Sequence, residues 1–85
     1  MPDKKEKLVG EITHYFGNIG VAVIKASDKI KVGDTIHIVG GDADFTQEVD
    51  SMEVDHQKVK EAKKGAEFGL KIDQKVREGY QVYKP

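Results

Sequence analysis

Eighty-five residues without a cysteine make one small domain, whose core must come from aliphatic side chains and six aromatics with no disulfide or thiolate metal site to staple it. Fourteen lysines and arginines against fifteen aspartates and glutamates leave a net charge of −1, which is not the composition of an avid nonspecific nucleic-acid binder. No apolar run approaches the ~20 residues that cross a bilayer, and the charged opening Met1-Pro2-Asp3-Lys4-Lys5-Glu6-Lys7 is no secretory signal. A charged leader over residues 1–7 and a single cytoplasmic domain over 8–85 are therefore expected.

In chain order, Leu8 to Phe16 alternates well enough for a strand, with Leu8, Ile12 and Phe16 on one face and Val9, Glu11, Thr13 and Tyr15 on the other. Gly17-Asn18 signals a turn, and Ile19 to Ala26 reads as a second strand, so residues 8–26 form a hairpin. Ser27-Asp28-Lys29 is a polar loop. Ile30-Lys31-Val32 runs into Gly33-Asp34, where a glycine supplies the backbone angle of a tight turn, and Thr35 to Val39 begins a new strand at once. Gly40 to Asp44 is a loop by composition. Phe45 to Val54 is the next strand, and its loss of period at Asp50-Ser51 predicts a β-bulge.

Gln57 to Gly65 holds the only helical hint, Val59 with Ala62 before a glycine stop at Gly65, so at most one short helical turn is predicted. Ala66, Phe68, Leu70 and Ile72 alternate with Glu67, Gly69 and Lys71 as a half-buried strand. Val76 to Gly79 turns the chain, and Tyr80 to Tyr83 closes it. Six or so short strands with turns between them argue for an all-β fold, a small closed antiparallel six-stranded β-barrel, since closure removes bare strand edges.

Charge is polarised along the chain. Residues 42–55 carry six acids and no lysine or arginine, whereas residues 57–77 carry seven basic residues against three acids. The basic stretch supplies Lys58, Lys63, Lys64, Lys71 and Arg77, with Tyr80 and Tyr83 close by in sequence; cations bind phosphates and aromatics stack on bases.

Catalytic signatures are missing. The chain has no cysteine nucleophile, no G-x-S-x-G elbow and no phosphate-binding P-loop. His14, His37 and His56 have no i,i+4 pair, and Asp42-x-Asp44 lacks the remaining spacing of a calcium loop, so surface histidines and a solvated acidic face are the expected reading. No enzyme activity, metal, nucleotide or other cofactor is expected.

Lys31-Val32-Gly33-Asp34-Thr35-Ile36-His37-Ile38-Val39-Gly40, then Met52-Glu53-Val54, Glu61 to Gly65, Phe68-Gly69-Leu70 and Arg77 to Pro85 resemble, in order and spacing, domain 2 of translational GTPases such as elongation factor Tu. His14-Tyr15-Phe16, Gly20 to Lys25 and Asp44-Phe45-Thr46-Gln47 are similar to the small translation elongation factor-like proteins, free-standing versions of that barrel; a related barrel ends some collagenase-like peptidases. The resemblance implies a Greek-key-type barrel and a non-catalytic, monomeric binding module contacting tRNA, rRNA or a ribosome-associated protein. It sets Glu53 at the position of a pocket glutamate and Val21 and Val23 on an apolar wall, with Lys71 and Glu67 where that family has an aliphatic residue and an asparagine. Glu53, Lys58, Lys63, Lys64, Lys71 and Arg77 are thus the expected RNA- or partner-binding residues. The alternative is a protein–protein interaction barrel of the kind appended to collagenase-like peptidases, docking a partner through a strand edge or the Tyr15-Phe16 rim.

Overall fold

A computed structural model describes residues 6–41, 43–55 and 57–85. Ten strands follow one another: β1 (Lys7–Phe16), β2 (Val21–Ala26), β3 (Ile30–Lys31), β4 (Thr35–Gly40), β5 (Ala43–Glu48), β6 (Met52–Val54), β7 (Gln57–Val59), β8 (Glu61–Ala62), β9 (Glu67–Lys71) and β10 (Gln81–Lys84). Every pairing is antiparallel. Eight strands form one sheet in the order β5-β4-β10-β1-β2-β9-β6-β7, and β3 pairs with β8 as a separate two-stranded ribbon. The fold is all-β, as expected, and no described residue is helical.

The closed six-stranded barrel is corrected. Among the described residues the ladder ends at β5 on one side and β7 on the other, with no pairing between them. Yet the sheet must curl, because β5 at one edge and β6 near the other are joined by Val49, Asp50 and Ser51 alone. Four backbone steps span at most about 14 Å. A side chain crosses the seam between β5 and β9: Gln47, buried on β5, donates its amide to the Lys71 carbonyl at 3.0 Å and accepts the Asp73 N–H at 3.0 Å.

Alternation builds the core where it was read. Ala22, Ile24, Ile36, Ile38, Phe68, Leu70 and Val82 point inward from β2, β4, β9 and β10 and are buried. Strand β1 departs from the expected faces. Its register slips between Leu8 and Gly10 against β10, and between Ile12 and His14 against β2. Each bulge moves the following side chains to the other face, so Val9 and Ile12 are both buried while Leu8 and Phe16 are exposed. The single strand expected over Phe45 to Val54 is two, and the bulge at Asp50-Ser51 is a full break. There the chain changes partner from β4 to β9, and Val49 is held by backbone bonds to Gly33 and Asp34. The helical turn over Gln57 to Gly65 is replaced by β7, β8 and a turn closed by the Ala66 N–H on the Lys63 carbonyl. Val59 and Ala62 stand three apart because two short strands meet there.

The Gly33-Asp34 turn forms as read, with Gly33 at φ +97°. Asp34 anchors it: its carboxylate accepts the Lys31 N–H at 3.0 Å and lies 3.0 Å from Lys84 Nζ on β10. Residues 1–5 of the expected leader lie outside the described residues. Glu6 and Lys7 belong to the fold, for Lys7 opens β1 and pairs with Asp28, while Glu6 packs against His37. No helix of the described residues is long and apolar enough to cross a membrane.

Candidate functional site

The neighbouring strands β1, β2, β9 and β6 carry one continuous outer face, and their registers set what stands on it. Val23 is opposite His14 on β1 and Gly69 on β9, and Gly69 is opposite Glu53 on β6. On one side of that row Val21 faces Phe16 and Lys71; on the other, Lys25 faces Glu67. Gly69 has no side chain, so the face dips between Val23 and Glu53. The resulting groove has a volume of about 530 Å³.

Its apolar wall runs from Phe16 and Ile19 to Val21 and Val23. Phe16 is 48% exposed and Ile19 61%, two of the four large apolar residues that face solvent among the described residues, and they flank the same turn between β1 and β2. Isolated exposed apolar side chains need no explanation, but a contiguous set beside a groove marks a contact surface. His14 stacks on Phe16 with ring centroids 6.3 Å apart, and its Nδ1 lies 3.3 Å from Glu78.

The opposite rim is acidic. Glu53, Asp55 and Glu67 line it, and the Thr13 hydroxyl lies 3.2 Å from the Val23 carbonyl and 3.4 Å from the Glu67 carboxylate, with one proton to share between them. Asp55 takes a left-handed φ of 52°, which aspartate tolerates better than most residues, at the end of β6. None of the three forms a salt bridge among the described residues. A smaller recess continues the groove past Gly69 to Ser51 and Lys71. Apolar carbons facing carboxylates across a strip of bare backbone suit binding of an extended ligand.

The expected site residues divide. Glu53 lies at the centre of the groove and Lys71 at one end. Lys58 is exposed on β7, opposite Glu53. Lys63 and Lys64 precede β9 whereas Lys71 ends it, so four strand residues, about 13 Å, lie between them. Arg77 stands beside Tyr15 and Glu78 before β10. The basic stretch is therefore not one patch. Nor do the tyrosines form a stacking platform: Tyr80 packs on Gly40, and the Tyr83 hydroxyl donates to Gln81 at 2.8 Å. Sequence reasoning missed Ile19, Asp55 and the dip at Gly69. Phe16 was expected as part of a Tyr15-Phe16 docking rim, and Ile19, apolar on the other side of the same tight turn, carried a similar signal that went unused.

A second cluster also escaped. His37, expected as a surface histidine, is 16% exposed and lies between two carboxylates, Nδ1 at 2.7 Å from Glu6 and Nε2 bonded to Asp44. The Asp44 bond raises its pKa, burial opposes that, and Glu6 adds to it. The other Glu6 oxygen is buried without a partner among the described residues. His56 and Asp42 lie outside the described residues. Among the described residues no group of His, Cys, Asp and Glu is arranged to hold a metal ion.

Comparison with known proteins gives a consistent answer. The profile of the peptidase family U32 C-terminal domain matches residues 4–81. An uncharacterized protease of Methanocaldococcus jannaschii is 38% identical over 76 residues, which cover 88% of this chain and 19% of that protein. The chain thus spans about a fifth of its relative's length. Two crystal structures of the C-terminal domain of a candidate U32 peptidase of Geobacillus thermoleovorans share the fold. One has a TM-score of 0.87 at 17% identity and covers 92% of this chain and 99% of that one. The other has a TM-score of 0.87 at 16% identity and covers 100% and 98%.

These findings overturn the expected membership among translation elongation factor-like proteins, and the RNA-binding role drawn from it. The residues behind that resemblance explain the error. Gly33 and Gly79, at φ +97° and +92°, make turns, and Ile36 and Ile38 fill the core, so the motifs carried a fold rather than a family. The barrel known from the ends of collagenase-like peptidases was the better guide, and the chain belongs to the peptidase family U32 C-terminal domain.

Proposed function

We propose that this domain is a non-catalytic docking module that holds an extended segment of another protein on the outer face of β1, β2, β9 and β6. One observation carries the reading: Phe16 and Ile19, exposed at the β1–β2 turn, continue without a break into Val21 and Val23 along a groove. A surface of this kind gains free energy when a partner removes it from water, at about 25 cal/mol per Å² of apolar area. Family membership supports the same role, because a domain that belongs to a peptidase family would meet a protein chain as its partner.

Hydrogen exchange of the chain with and without a panel of unfolded proteins, reduced carboxymethylated lactalbumin and gelatin among them, tests the reading. Protection is expected at residues 16–23 and 67–70, and Phe16→Ser with Ile19→Ser is expected to remove it with the fold intact. Protection confined to other strands, or unchanged in the double variant, would rule the groove out.

A further inference from the structure

The docking surface has a charge pattern that specifies its occupant. Three carboxylates, Glu53, Asp55 and Glu67, line one rim, and none is neutralised by a salt bridge among the described residues. The two lysines placed to do so by register, Lys58 opposite Glu53 and Lys25 opposite Glu67, form no such bridge. The spacing of the acids adds to this. Glu53 stands opposite Gly69 at the groove floor, and Asp55, in the turn that follows β6, lines the same rim as Glu67. Like charges gathered on one rim repel. The arrangement is unfavourable in the free protein and is relieved by a cation laid between them.

The remainder of the groove fixes how that cation arrives. Gly69 leaves a backbone strip open between the acidic rim and Val23, so a chain lying along β9 sets one side over Val21, Val23 and Phe16 and the other over the carboxylates. Lys71 closes the far end and disfavours a second cation there. Resting on the docking role proposed above, we infer that the groove binds a protein segment in which lysine or arginine is flanked by apolar residues, the cation between Glu53, Asp55 and Glu67 and the apolar side chains against Phe16, Ile19 and Val23. A membrane surface or a nucleic-acid backbone is anionic and is repelled by the same rim.

Three twelve-residue peptides with identical apolar residues and a central Lys-Arg, Gln-Gln or Glu-Glu pair are the probes. Affinity is read from amide shifts of the full chain in nitrogen-15 spectra, with the wild type and the triple variant Glu53→Gln, Asp55→Asn, Glu67→Gln. The basic peptide is expected to bind about tenfold tighter than the glutamine peptide, equivalent to about 1.4 kcal/mol. Its advantage is expected to shrink between 50 and 500 mM salt and to vanish in the triple variant. Equal binding of all three peptides at Val21, Val23 and Gly69 overturns the charge inference and leaves the docking role standing. A basic preference that survives in the triple variant overturns it too. If no peptide moves those resonances, the docking role itself fails. Because the three acids are exposed and their variants isosteric, the triple variant should melt like the wild type, and its melting curve is the control.

Discussion

His37 Nδ1 lies 2.7 Å from the Glu6 carboxylate, which ties the first described residue of the chain to the middle of β4. Its other ring nitrogen bonds Asp44 in β5, so one imidazole joins the segment before β1 to the β4–β5 hairpin. With Glu6 9% exposed, the imidazolium is the group that makes burial of that carboxylate tolerable.

The pH dependence of this link has a definite sign. A histidine whose folded pKa is raised contributes fully below its unfolded value near 6.5, and the contribution is lost as pH rises through the higher folded value. His37→Gln is expected to cost about 1.5–3 kcal/mol at pH 6, the range for hydrogen bonds to charged groups. Urea denaturation of wild type and variant at pH 6 and pH 9 checks this, and the gap should narrow at pH 9. An equal gap at both values would show that the imidazole acts without its charge.

Asp34 should show the opposite trend. Burial works against its ionisation, but the Lys84 ammonium and the Lys31 N–H prevail and hold its pKa below 3.8. A lowered carboxylate pKa stabilises above the unfolded value and loses that contribution as pH falls through the folded one. Asp34→Asn is expected to cost about 1–2 kcal/mol at pH 7 and less at pH 3. Thermal melts of both proteins across that range give the comparison, and a gap that widens on acidification would contradict it.

Gln47 stands in for the missing ladder at the seam of the curled sheet. Replacing it with leucine keeps the volume but leaves the Lys71 carbonyl and the Asp73 N–H without a partner. Unsatisfied buried groups cost about 1–3 kcal/mol each. Gln47→Leu should lower the urea midpoint accordingly and speed exchange of the Asp73 amide, while amides of the β4–β5 hairpin keep their order of protection. A neutral substitution would mean that the seam is held by side-chain packing alone.

Two glycines separate structural need from functional space. At Gly40 a Cβ would fall 2.3 Å from the Tyr80 ring and 3.0 Å from its Cα, so Gly40→Ala must displace backbone and is expected to cost about 2 kcal/mol or more. At Gly69 a Cβ meets Val21 at 3.5 Å and the Glu53 carbonyl at 3.9 Å, ordinary contacts. Gly69→Ala should gain about 0.5 kcal/mol, since glycine weakens a strand interior. Melting curves of the two variants decide the matter, and a destabilised Gly69→Ala would remove the argument that the position is kept open for a ligand.

The contrast between these positions shows how far a sequence alone carries. Alternation in β2, β4 and β9 was legible because inward and outward residues differ in polarity along the strand. The Gly33-Asp34 turn was legible because few residues take its backbone angle. Strand β1 was not, since its two bulges are set by partners, β10 and β2, that lie far along the chain or across a turn. The groove was half legible. Glu53, named through a resemblance, and Phe16, named as part of a rim, both line the groove, yet Ile19, Asp55 and Gly69 join them only through long-range pairing that local pattern does not encode. His37 was misplaced for a related reason, as Glu6 is 31 residues away from it. The family was misassigned because the most recognisable residues, Gly33 and the isoleucines after it, specify turns and core.

Gly69→Phe tests the central claim most directly, because it fills the groove from its floor while leaving the buried face of β9 untouched. The variant should melt like the wild type and bind the Lys-Arg peptide at least about tenfold more weakly, a loss of about 1.4 kcal/mol. Undiminished binding by a folded Gly69→Phe protein would contradict the groove as the docking site.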